Sequence, residues 1–142
     1  LTSGILWRLA GDLVVGVQAG RMEDRQWEDM VAAGRRQGQR TGSFRTIVFI
    51  EDGPPPTSKQ RMTLNRGIDG LAWTSAAVTD SAVIRLATTA MSWFQPGLRT
   101  FSFKETEAAL AHVGAEGATL TELRASVEEL YLALGRSPRF IV

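Results

Sequence analysis

An α/β domain with a mixed, mostly parallel sheet is predicted by three features of this 142-residue chain. Short runs rich in β-branched and aromatic residues alternate with longer segments of helical periodicity, and that alternation requires crossover connections between parallel strands. Two apolar runs at the start are separated by little more than a Gly-Asp pair, which sets an antiparallel hairpin at one edge. The length suits one compact unit with a sizeable core.

"GILWRLAGDLVVGVQAG" places Ile5 to Leu9 and Leu13 to Val17 as the hairpin strands, with Ala10, Gly11 and Asp12 between them. "MEDRQWEDMVAAGRRQGQ" carries Trp27, Met30, Val31 and Gly34 at helical spacing, with Gly38 where the chain leaves the helix. Acidic residues lead this segment and basic ones close it, as the helix dipole prefers. "FRTIVFI" (Phe44 to Ile50) reads as a strand covered on both faces. "SKQRMTLNRGIDGL" is the second helix, with Met62, Leu64 and Ile68 turned inward, and "WTSAAVT" (Trp73 to Thr79) is a weaker strand. Asp80 or Ser81 caps "SAVIRLATTAMSWF", whose Val83, Ile84, Ala87, Ala90, Met91 and Phe94 form a broad apolar face. Pro96-Gly97 stops that helix. "LRTFSF" (Leu98 to Phe103) follows as a strand, and "KETEAALAHV" as a short helix ending at Gly114. The pattern is ββαβαβαβα with one more helix behind it.

Composition removes several classes of function. Hydrophobic residues make up 44% and charged residues 22%, which is the balance of a folded chain rather than a disordered one. The net charge of +1, from 16 basic and 15 acidic residues, argues against nucleic acid as a partner. The absence of cysteine excludes a disulfide framework, Cys-ligated zinc and a thiol nucleophile, and it suits the cytoplasm. His112, the one histidine, leaves a Ser-His-Asp triad a single candidate base and removes a His-rich metal site. No apolar run approaches the ~20 residues of a membrane span, and the opening residues lack the basic-then-apolar pattern of a signal peptide. A soluble, cytoplasmic, non-catalytic domain without cofactor or metal is expected.

Residues 5 to 113 resemble the STAS family, the fold of anti-sigma-factor antagonists and sulfate-transporter tails, and in particular its SpoIIAA-like group. The order of elements carries the resemblance. So does "AAVTDSAVIRLATTAMSWFQPGLRTFSFKETEAALAHV", with its strand, capped helix with a late Trp, strand ending in Phe, and Ala-rich helix. The resemblance implies a regulatory or protein-interaction module over residues 1–114, with residues 115–142 as a C-terminal helix and tail packed on the domain or on a partner. It also implies that the family's phosphorylated serine corresponds to the corner "EDGPPPTSKQR", where Thr57 and Ser58 stand at a helix start. The family's usual Asp-Ser-x-Gly setting is replaced there by a longer loop stiffened by prolines.

Two readings of that corner follow from the residues themselves. In one, Thr57 or Ser58 is an N-cap worth about 1 kcal/mol, and the prolines stop the helix from extending backwards. In the other, Thr57, Ser58, Lys59 and Arg61 form a phosphorylation or anion site at a helix N-terminus, with Glu51 and Asp52 opposing it. Asp80 and Ser81 in "TDSAVIR" sit where a crevice opens at the carboxyl end of a parallel strand, although a plain helix cap explains them too. The Glu23-Asp24 and Glu28-Asp29 pairs fall at solvated helix positions, and a cationic His112 would suit a helix C-terminus. No Gly-x-Gly occurs, so a phosphate-cradling glycine loop is absent.

"ATLTELRASVEELYLALG" adds a helix that Thr119 and Glu122 would open as a capping box. Leu120, Leu123, Val127, Leu130 and Leu134 form a narrow apolar seam, suited to the protein's own core or to a protein partner or second copy. The tail "RSPRFIV" ends in three apolar residues that suggest cover. The leading expectation is a non-catalytic STAS-like interaction module working through the 52–61 corner and the last helix. The alternative is a small-molecule or lipid carrier with an apolar pocket near Trp73, Met91 and Trp93.

Overall fold

The computed structural model describes residues 3–92 and 95–139 and has the α/β architecture predicted from sequence. β1 (Gly4–Ala10) and β2 (Leu13–Ala19) form the hairpin, followed by α1 (Asp24–Thr41), β3 (Ser43–Asp52) and α2 (Ser58–Ile68). β4 (Ala72–Thr79), α3 (Ala82–Ser92) and β5 (Leu98–Phe101) come next, then a 3-10 turn over Phe103–Glu105, α4 (Thr106–His112) and α5 (Gly117–Ala133). The five strands lie in sequence order. β1 and β2 pair antiparallel, and every other neighbouring pair is parallel. Gly11 takes φ +60° at the first position of the two-residue hairpin loop, where the right-handed twist of the strands favours a positive φ.

Alternation along the strands sorts the core into two layers. Val14, Phe44 and Ile5 face Trp27, Met30 and Val31 of α1 and Leu64 of α2. Ile50 and Ala77 on that same face meet Ile84 of α3. Leu13, Val15, Ile47, Phe49 and Val78 face the other way, against α4 and α5. β2 is buried along its whole length because helices cover both of its faces.

α5 belongs to this core. Leu123, Val127, Leu130 and Leu134 are buried in the layer that holds Val15 and Phe49, and Leu120 packs partly against it. Of the two roles open to the seam, the protein's own core or a partner, this burial is that of packing on the core. Its helix also starts two residues before Thr119, with Glu116 as N-cap, so Thr119 and Glu122 make no capping box. Glu122 Oε2 instead accepts from the Gly11 backbone N–H at 2.7 Å, tying α5 to the hairpin turn.

Other local expectations are corrected by packing. α1 runs past Gly38 to Thr41 and ends at Gly42, which takes φ +88°. Gly38 is a contact residue, since a Cβ there would lie 2.6 Å from Leu71 Cδ1. Met62 is 58% exposed rather than inward. On α3 only Ile84 and Thr88 are buried, and Val83 at 70% and Leu86 at 74% face solvent. β5 stops at Phe101 because Ser102 caps the 3-10 turn, its backbone N–H reaching Glu105 Oε1 at 2.8 Å. Trp93, Phe94 and the tail residues Phe140 to Val142 lie outside the described residues.

Candidate functional site

The proline corner is held from inside by two buried amides. Gln18 Nε2 donates to the Gly20 and Pro54 carbonyls, both at 3.0 Å. Gln60 Nε2 donates to the Met22 carbonyl at 3.2 Å, and the Gln60 backbone carbonyl accepts from Trp27 Nε1 at 2.8 Å. Thr57 is the N-cap of α2, its Oγ1 accepting from the Gln60 backbone N–H at 3.1 Å, while Gln60 Oε1 accepts from the Thr57 N–H at 3.0 Å. This capping box satisfies end groups that helix geometry leaves unpaired.

The rest of the candidate anion cluster is divided among separate contacts. Lys59 pairs with Asp24 at 3.2 Å. Arg61 donates to the Pro56 carbonyl and to Ser58 Oγ, each at 2.9 Å, and both acceptors are neutral. Its guanidinium has five N–H groups. Two are engaged in these bonds, and no carboxylate lies within ion-pair distance of Arg61 among the described residues.

Behind the corner, between the sheet and α1, α2 and α3, lies a cavity of about 80 Å³. Ile50, Ala77, Ile84, Trp73, Met91 and Leu98 give it an apolar lining. Thr46 and Ser75 supply polar atoms, standing opposite each other on β3 and β4, with Thr46 Oγ1 donating to Ser75 Oγ at 2.6 Å. Trp73 Nε1 is the one buried side-chain nitrogen or oxygen without a hydrogen-bond partner among the described residues. An unmatched donor of this kind costs about 1–3 kcal/mol.

Pro55, Pro56 and Met91 line both this cavity and an open groove of about 490 Å³ between α2 and α3. Arg61 and Asn65 stand on one wall of the groove, Ala87 and Ala90 on the other, with Gln95 joining Asn65 through a 3.0 Å hydrogen bond. Trp73 and Met91, singled out in sequence, are thus brought together, and Trp93 lies outside the described residues. Pro55, Pro56, Thr46, Ser75 and Asn65 were missed. A readable signal existed for one of them, because Thr46 interrupts the otherwise apolar inward run of Phe44, Val48 and Ile50 at strand period.

The other candidate crevice is filled by the chain itself. Ser81 caps α3, its Oγ accepting from the Ile84 N–H at 3.3 Å. Asp80 accepts from the Phe103 N–H at 3.1 Å and pairs with Arg139, whose guanidinium also sits 4.2 Å from the Phe103 ring centre. Arg139 reaches Glu51 at 3.5 Å, and Arg136 reaches Asp52 at 2.8 Å. The acidic residues beside the corner are thereby compensated. His112 Nε2 lies 3.0 Å from the Gly97 carbonyl and its ring leans on Phe101, so it holds β5 to α4. Glu28 and Asp29 are exposed on α1. No helix among the described residues is long and apolar enough to cross a membrane, and no group of three His, Cys, Asp or Glu among them could hold a metal.

No protein-family model matches this chain, and neither a curated protein nor a solved structure does.

Proposed function

We propose that this is a non-catalytic, STAS-like ligand-binding domain whose cavity and α2–α3 groove take one small, largely apolar molecule. The carrying observation is the apolar cavity itself, lined by Ile50, Ala77, Ile84 and Met91 and by the Trp73 side chain. Binding sites are commonly built this way, as mostly apolar concavities with a few placed polar groups. Size limits the ligand. At about 80 Å³ the cavity is well below the roughly 150 Å³ of an engineered cavity that holds benzene, so only the end of a ligand enters it. The remainder lies in the groove. The order ββαβαβαβα supports the STAS-like comparison.

The test is fluorescence of the neutral probe N-phenyl-1-naphthylamine with the whole protein and with Ala77→Leu, which fills the cavity from β4. Enhancement by the parent protein that the variant loses supports the reading. Equal enhancement by both, or none by either, sinks it.

A regulatory interaction module is the second reading, and the exposed Val83 and Leu86 on α3 favour it. Exposed apolar side chains on one helix suit a protein partner, although single ones are common on any surface. Loss of a co-purifying partner on Leu86→Asp, with no loss on Leu132→Asp, would favour this second reading.

A further inference from the structure

We infer that the groove selects a molecule with a carboxylate head on a straight apolar chain, the head at Arg61 and the chain end in the cavity beneath Met91. This rests on the ligand-binding reading above and adds the head-group chemistry.

Three observations carry it. Arg61 lines the groove with a cation whose only hydrogen-bonded acceptors among the described residues are the neutral Pro56 carbonyl and Ser58 Oγ. It lies in the first turn of the 11-residue α2, where the positive end of the helix dipole adds to its charge. The carboxylates that would oppose an anion here are already engaged, Asp52 by Arg136 and the Gly20 N–H, Glu51 by Arg139 and Tyr131, and Asp24 by Lys59. A planar carboxylate suits the guanidinium fork, which binds it through paired charge-assisted hydrogen bonds.

The path inward is short and yielding. Met91 stands between groove and cavity, and an unbranched thioether side chain adjusts to irregular apolar shapes. α3 rests on the sheet through only two buried side chains, Ile84 and Thr88, so a small displacement widens the entrance. The opposite wall is stiff, because Gln18, Gln60 and the prolines fix the corner. Chain length is thus accommodated on the α3 side and the head group is placed on the α2 side.

The experiment compares decanoate with 1-decanol as displacers of N-phenyl-1-naphthylamine from the whole protein, below the micellar range. Decanoate is expected to bind about tenfold more tightly, the size of one charge-assisted contact. Arg61→Gln should remove that difference while leaving 1-decanol unchanged, and Arg61→Lys should keep part of it. Equal affinities in the parent protein overturn the inference without reference to any variant. A preference that survives Arg61→Gln overturns it as well, as does binding to phosphatidylglycerol vesicles without binding to free decanoate. If the bound probe is displaced by neither molecule, the inference has failed; if the probe itself does not bind, the ligand-binding reading has failed.

Discussion

Tyr131 Oη donates to Glu51 Oε2 at 3.0 Å, joining the last helix to the end of the central strand β3. Burial first, and then the Glu51 charge, push the phenol above its ordinary value of 10.0. A raised value in the folded state means that this contribution to stability is complete below pH 10 and is lost as the pH rises beyond it. Tyr131 is the sole tyrosine, so ultraviolet absorbance reads it alone. Phenolate should appear together with alkaline unfolding. Reversible ionisation near pH 10 in the folded protein would contradict this. Tyr131→Phe should cost about 1 kcal/mol at neutral pH and flatten the alkaline limb.

The C-terminal seam gives a second prediction. Leu123 is fully buried against the sheet, so Leu123→Ala should destabilise the protein by about 2–5 kcal/mol in urea unfolding. Leu132→Ala, on the exposed side of α5, should stay within about 0.5 kcal/mol. Similar values for the two would mean that α5 does not dock as described.

Gly34 sets two opposing effects against each other. Alanine is the better helix former by about 1 kcal/mol, yet a Cβ at this position would stand 2.0 Å from Phe44 Cε1. The clash with a buried ring should win, because overpacking costs about 1–3 kcal/mol. Gly34→Ala is therefore expected to lower the melting temperature, and a rise would show that Phe44 can move aside.

Capping supplies a direct contrast between two threonines. Thr57→Ala removes an observed N-cap and should cost about 1 kcal/mol. Thr119→Ala lies inside α5 and removes no cap, so its effect should be small. Glu105 adds an acid limb. Its carboxyl is held below its ordinary value by the Ser102 backbone N–H and then by the Ser102 hydroxyl, so its contribution is present above about pH 4.5 and declines on acidification. Glu105→Gln should make stability less sensitive to pH in that range.

The layered fold was readable because Val14, Ile47, Phe49 and Val78 recur at strand spacing while Trp27, Met30 and Val31 recur at helical spacing. What escaped depends on tertiary neighbours. Gly38 looks like a helix end in sequence and is instead a close contact with Leu71, which only the packed α1 reveals. Val83 and Ala90 fit an apolar face in periodicity, but α3 touches the sheet along a narrower stripe through Ile84 and Thr88. The cavity left only a faint trace in the polar Thr46. Small residues such as Ser75 and Ala77 are part of its lining, and missing volume leaves no residue to read. At the corner a cap was readable at Thr57 or Ser58, and Thr57 is the one that caps, while the corner's place in the cavity wall was not visible.

Methyl-resolved NMR of the whole chain titrated with decanoate, then with 1-decanol, addresses ligand binding most directly. Shifts are expected at Val48, Ile50, Ile84 and Met91 around the cavity, with Leu123, Val127 and Leu130 on the opposite face unmoved. Shifts spread evenly over both faces, or no shifts at saturating ligand, would contradict binding in the cavity.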